Sequence, residues 1–290
     1  MWRGYALALL AASLWAVGGL TAKWLEIEPA AMTGIRSIVA VTFLGILLLL
    51  FNRSAFKISN PRKDIPFLLL FGIFGQAAMS FTYLQAIAHN PVSLAILMHY
   101  LAPVCSLIIG VLFLRHKPKL LAVGGVVLAL IGCALVVGIV SPAGINVTSL
   151  GFAWGMASAF FFSLYAVMGA QVKERFSAFT LLFYGLLIST VIWLIVAGPS
   201  AVLTPIFTPE TTLPLLAVGT FSTLLPFAAF LLALRYIPAV NAGITAMAEP
   251  ILGVIGGTLI FSELITGSFI LGGILILIAI AAIQISDAWS

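Results

Sequence analysis

Residues 91–113 read PVSLAILMHYLAPVCSLIIGVLF, and residues 238–260 read PAVNAGITAMAEPILGVIGGTLI. An offset of 147 lays Pro91 on Pro238, Ala95 on Ala242, Pro103 on Pro250 and Gly110 on Gly257. Nearer the start of each half, an offset of 150 lays Ser13-Leu14-Trp15-Ala16-Val17 on Ser163-Leu164-Tyr165-Ala166-Val167, and Lys23 on Lys173. Two matching halves in a nearly apolar chain predict a structure built from two repeats. Each quoted stretch also breaks its own helix. Pro103 has no N–H for the carbonyl of His99, and Pro250 has none for that of Ala246, and these two carbonyls are equivalent under the 147 offset. At membrane depth a freed carbonyl persists only where protein, water or a ligand satisfies it. The paired breaks therefore point to a polar site between the repeats near mid-membrane, with a plain packing kink as the alternative.

Composition supports a membrane protein. Apolar residues make up 63% and charged residues 7% of the chain, with a mean hydropathy of +1.25, whereas soluble domains are about 45–50% apolar and about 25% charged. The net charge of +5 comes from basic residues scattered over short loops, with no basic face to track phosphates, so no nucleic-acid partner is expected. Cys105 and Cys133 both fall in apolar segments and read as small buried hydrophobes. The run after Trp2-Arg3 resembles a signal peptide, but it recurs in the second half as a span and reads as a retained first helix.

Breaks at charged, Pro-rich or Gly-rich loops divide the chain into ten spans. They fall near 4–22, 30–51, 64–88, 91–113, 118–140, 150–170, 177–198, 212–234, 238–261 and 266–286. The expected fold is all-α, with a first five-helix repeat over 1–145 and a second over 146–290. An odd number of spans per repeat turns the second one over, giving an inverted pair about an axis in the membrane plane. With the N-terminus in the cytoplasm, Arg3, Arg53, Lys57, Arg62, Lys63, Arg115, Lys117, Lys119, Lys173, Arg175 and Arg235 lie inside, eleven of the 13 basic residues. Only Lys23 lies outside, while Arg36 falls within a span, so both termini are expected in the cytoplasm. Glu26, Glu28, Glu210 and Glu263 fall outside.

No phosphate-binding loop, nucleotide fingerprint or metal-ligand spacing stands out, and His89, His99 and His116 are scattered, so neither cofactor nor metal is expected. An ATP-driven pump would need its motor from a separate subunit. A membrane enzyme would need a nucleophile–base pair or a metal site that these loops do not offer. A scaffold or receptor would have no need of paired broken helices.

Two five-span repeats with a Pro-centred fourth span resemble the EamA branch of the drug/metabolite transporter superfamily, over essentially the whole chain. The resemblance is carried by Leu14-Trp15-Ala16, Ala233-Leu234-Arg235-Tyr236-Ile237-Pro238-Ala239, Glu249-Pro250 and Ser262-Glu263. Members often carry a Glu near the end of the fourth helix, where this chain has Arg115-His116. Met98-His99-Tyr100-Leu101-Ala102-Pro103 is similar to the matching stretch of aromatic amino-acid exporters, although Ala102 stands where some have an aromatic residue. The resemblance implies a secondary transporter of the plasma or inner membrane that carries small molecules such as amino acids, other metabolites or drugs. Export of amino acids or similar metabolites by a lipid-embedded monomer is the leading expectation. Export of drugs or lipophilic cations is the rival.

Substrate contacts are expected from Trp15, Gln76, Tyr83, His99, Tyr100, Tyr165 and Glu249, beside the helix breaks at Pro103 and Pro250. Glu249 is the costliest residue, because an ionised acid at the centre of a span costs roughly 2.5–3.5 kcal/mol. It reads as a proton site, a partner for a substrate ammonium, or a structural acid at the break. His99 reads as a second proton site or a hydrogen-bonded bundle residue. Trp15 and Tyr165 are repeat-equivalent and would face each other across the axis, and the seven-residue spacing of Gln76 and Tyr83 puts them on one helix face. Arg36 snorkels outward, binds a substrate carboxylate or forms a salt bridge in the bundle. Ser106, Gly110, Gly253 and Gly257 form small-residue faces for close helix packing. The topology has a direct check. Cysteines placed at positions 63 and 119, in a chain lacking Cys105 and Cys133, should resist a membrane-impermeant thiol reagent applied to intact cells; labelling from outside would overturn it.

Overall fold

The computed structural model describes residues 1–22, 27–90, 92–113, 115, 120–136, 148–252, 255 and 267–288. The expected repeat junction at 145/146 lies outside the described residues, as do Pro91, Lys23, Glu26, His116, Lys117, Lys119, Gly253, Gly257, Ser262 and Glu263. Every regular element among the described residues is helical. The first half contributes α1 (Trp2–Ala22), α2 (Pro29–Phe51), α3 (Pro61–His89), α4 (Val92–His99), α5 (Ala102–Leu112) and α6 (Leu120–Val136). The second contributes α7 (Ser149–Gln171), α8 (Ala178–Val196), α9 (Pro209–Ala233), α10 (Ala239–Ala246) and α11 (Gly267–Ala288). Among the described residues, six segments, Pro29–Phe51, Pro61–His89, Ala95–Leu112, Ser149–Gln171, Ala178–Val196 and Pro209–Ala233, are long and apolar enough to cross a membrane.

Local chemistry sets the helix starts. Pro29, Pro61 and Pro209 open α2, α3 and α9, where a missing N–H costs nothing. Thr148 and Ser177 accept from the backbone N–H groups of Gly151 and Thr180, each at 3.0 Å, and cap α7 and α8. Gly198, at φ 87°, turns the chain out of α8 with a conformation that side chains with a Cβ disfavour.

Both α3 and α9 carry a feature that the sequence reading lacked. Each widens into a π turn, over Phe71–Ala78 in α3 and Thr220–Leu224 in α9. Each also opens on a proline and holds another five residues on, Pro61 and Pro66 in one, Pro209 and Pro214 in the other. The repeat thus extends into the third helix of each half, under an offset of 148 for the prolines.

The halves pack reciprocally. The first helix of each half lies against the third of the other: α1 against α9, and α7 against α3. The first helix also meets the broken helix of the other half, α1 with α10 and α7 with α4 and α5. Like meets like for α2 with α8, α5 with α10 and α6 with α11. Ser37 and Ser189 share a hydrogen bond of 2.8 Å across the α2–α8 crossing. A buried apolar cluster draws on both halves, from Tyr5 in α1 to Ile280 in α11.

The α6–α11 pair depends on one close backbone approach. A Cβ on Gly132 would come 2.6 Å from the Gly272 carbonyl oxygen and 3.0 Å from the Ile276 nitrogen, whereas one on Gly124 would meet nothing within 4 Å. Gly132→Ala should therefore cost about 1–3 kcal/mol through overpacking. Gly124→Ala should be neutral or gain up to about 1 kcal/mol in helix propensity. Melting in detergent separates the two; equal melting points would contradict this packing.

Candidate functional site

The site forms where the two broken helices meet. α4 ends at His99, Tyr100 and Leu101 make a turn, and α5 resumes at Ala102 with Pro103 in its first turn. α10 ends at Ala246, and Met247 and Ala248 turn through bonds to the Ile244 and Thr245 carbonyls, each 3.1 Å. Helix then resumes at Glu249-Pro250. Each proline thus sits in the first turn of a half-helix, where its own missing N–H is tolerated, but the carbonyl four residues earlier still needs a partner. The breaks abut: a Cβ on Gly243 would lie 3.1 Å from Pro103 Cγ, so only glycine leaves that approach unhindered.

One side chain of the first half ties the second break. Tyr100 is 2% exposed, and its hydroxyl lies 2.6 Å from Glu249 Oε2 and 3.1 Å from the Ala246 carbonyl oxygen. That carbonyl is the one freed by Pro250, so its partner comes from across the repeat interface. A phenol has one proton and a carbonyl only accepts. Tyr100 therefore donates to Ala246 when the Glu249 carboxyl is protonated and donates back to it, and donates to Glu249 when that carboxyl is ionised. Glu249 stands in the first turn of its half-helix, where unpaired N–H groups favour negative charge.

Aromatic rings surround this centre. His99 stacks on Phe162 at 4.7 Å between centroids and lies 4.6 Å from Tyr83. Ser158 donates to the Gly155 carbonyl, which leaves its oxygen to accept from His99 Nδ1 at 3.3 Å. Trp15 packs edge-on to Phe162 at 5.9 Å and Phe227 at 5.3 Å. Trp15, Tyr83, His99 and Glu249 each keep part of their surface accessible.

Gln76 and Tyr165 are placed elsewhere. Both are fully buried, and both amide atoms of Gln76 and the hydroxyl of Tyr165 have no hydrogen-bond partner among the described residues. Gln76 packs against Gly185 of α8, with 3.6 Å between its Cβ and a Cβ built on that glycine, while Tyr83 faces His99 on α4. Gln76 lies within the π turn, which takes about one residue more than an α turn and shifts the helix phase between it and Tyr83. Trp15 and Tyr165 do not face each other directly. Both pack on Phe227 and Phe230 of α9, which serve as their common neighbours.

Two polar contacts escaped the sequence reading. Arg36 does not snorkel: its Nε donates to Thr223 Oγ1 at 2.8 Å and an Nη to the Ser222 carbonyl at 3.1 Å, both in the π turn of α9. Asp64, 2% exposed in the first turn of α3, accepts from Asn60 N–H at 2.8 Å and pairs with Arg175, whose Nε lies at 2.7 Å. The Arg175 guanidinium lies over the Phe176 ring at 5.1 Å. An acid in a first turn is a recognisable signal; a partner 111 residues away is not. Tyr100→Phe should lower stability by about 1–3 kcal/mol by leaving the Ala246 carbonyl unmet, read as a lower melting temperature in detergent; an unchanged melting temperature would show that the contact is idle.

Comparison with known proteins places this architecture. The model of the EamA-like transporter family matches twice, over residues 2–138 and 149–285. An uncharacterized inner membrane transporter of Salmonella typhimurium, YicL, is 25% identical over 298 residues, covering 98% of this chain and 96% of its own. An uncharacterized transporter of Clostridium kluyveri is 24% identical over 293 residues, covering 96% and 92%. A solved crystal structure shares the fold with a TM-score of 0.80 at 18% identity, over 97% of this chain and 96% of its own. With its membrane-spanning helices and a match in each half, this multi-pass membrane protein belongs to the EamA-like transporter family.

Proposed function

We propose that the chain is a secondary active transporter of the cell membrane that exports amino acids or similar small metabolites by alternating access. The carrying observation is the junction of two broken helices, where Tyr100 of one half meets Glu249 and the freed Ala246 carbonyl of the other. Charged and polar groups at membrane depth persist where they serve a solute or ion path. The reciprocal packing of the halves supports ten helices in two inverted repeats, residues 1–145 and 146–290. Both termini lie in the cytoplasm on the charge bias of the loops, and the chain works as a monomer. Trp15, Tyr83, His99, Tyr100 and Glu249 contact the solute, with Gln76 and Tyr165 reached only when the packing around them opens.

Glu249 carries the coupling proton in this reading. Protonated, it lets Tyr100 satisfy the Ala246 carbonyl and hold the break closed. Ionised, it draws the phenol proton to itself and leaves that carbonyl to water or solute. Tyr100, Arg36, Tyr83 and Cys133 are the titratable groups around it, and His99, stacked on Phe162, is a second proton site on the same path. One observation favours the rival cation exporter: an acid bonded to Tyr100, whose ring in turn meets the His99–Phe162 stack, suits a cation.

Glu249→Gln tests the coupling. Its amide donates to Tyr100 permanently, mimicking the protonated form. In proteoliposomes this variant should retain amino-acid counterflow and lose flux driven by a pH gradient. Gradient-driven flux at the wild-type rate would return Glu249 to a structural role.

A further inference from the structure

We propose that Arg36 binds the carboxylate of the transported solute while Glu249 takes its ammonium, so that the site selects zwitterions over cations. This rests on the transport reading above and assigns the polarity of its site.

Arg36 is a cation within a membrane-spanning helix, and it pairs with no carboxylate among the described residues. Its two protein contacts, the Thr223 hydroxyl and the Ser222 carbonyl, are neutral. They satisfy N–H groups without neutralising the charge, and an unpaired charge in a bundle is costly. Their geometry matters more. Nε and one Nη are used, which leaves the other Nη without a protein partner among the described residues. A guanidinium with N–H groups to spare can take a carboxylate through a charge-assisted fork.

The opposite charge is in view but not in contact. Arg36, Tyr83 and Glu249 lie within mutual electrostatic reach, yet Arg36 and Glu249 form no ion pair. Each is tethered on its own side, Arg36 to the π turn of α9 and Glu249 to Tyr100. An acid and a base that would otherwise collapse together are thus held apart, with aromatic rings beside them. A molecule carrying both a carboxylate and an ammonium can meet the two tethered charges together, and its side chain has the rings to pack on. A lipophilic cation would meet Arg36 as a like charge. The π turn has the same meaning in this account: it supplies the carbonyl that orients the fork.

Binding to the purified full-length protein, followed by thermal shift, tests this with the proteinogenic L-amino acids, each beside its decarboxylated amine, and with tetraphenylphosphonium. Wild type should bind its best amino acid at least tenfold more tightly than the matching amine. Arg36→Gln should lose roughly ten- to a hundredfold in amino-acid affinity, the scale of charge-assisted hydrogen bonds, while amine affinity holds or rises because a like charge is removed. Arg36→Lys should fall between. Equal binding of amino acid and amine by wild type, or an Arg36→Gln variant with the wild-type ratio, would overturn the proposal. Should Arg36→Gln fail to fold, the wild-type ratio decides alone. Binding of tetraphenylphosphonium or amines without amino acids would sink the zwitterion assignment and leave transport standing; no binding of any probe would count against both.

Discussion

Pro250 removes the donor that the Ala246 carbonyl would have in an unbroken helix, and lipid supplies none. The Tyr100 hydroxyl of the opposite half stands in, 3.1 Å from that carbonyl and 2.6 Å from Glu249. Much of the central packing serves this contact. Gly243 lets Pro103 close on α10 and brings the breaks together. The turn at Tyr100–Leu101 aims the phenol across the interface. His99, one residue earlier, is fixed by Phe162, Tyr83 and Ser158 and holds the end of α4 in place.

The scaffold is symmetric but its chemistry is not. Helix pairs repeat across the halves, and so do the proline spacing and π turns of α3 and α9. Under the 147 offset, however, Glu249 falls on Ala102, Tyr100 on Met247 and His99 on Ala246. The first break carries the donor and the second carries the acid. The frame repeats, whereas the acid at the breaks stands in one half only. Arg36 belongs to the same asymmetry, because it is anchored in the π turn of one half only.

Much of this was legible in the sequence because membrane physics leaves few choices. Apolar runs of sufficient length become helices, and a proline in mid-run marks a break, so Pro103 and Pro250 marked the two interruptions that the structure shows. The partner of the Ala246 carbonyl was not legible, since 146 residues separate it from Tyr100. Arg36 was open to three readings, and its anchors lie 187 and 186 residues away. The π turn around Gln76 was not legible from periodicity either, since a fixed helical period cannot see one. The matched pairs Pro61/Pro66 and Pro209/Pro214 were in plain view, and comparing them would have flagged those turns.

A transport site at the junction of the broken helices requires that water and solute reach it. The most direct measurement is the reactivity of His99→Cys, in a chain lacking Cys105 and Cys133, toward a membrane-impermeant thiol reagent. It is applied outside intact cells and inside inverted vesicles, with Leu277→Cys on the outer surface of α11 as the apolar reference. The account predicts modification of position 99 from at least one side, well above the reference. Reaction from neither side, at a rate no greater than that at position 277, would contradict it.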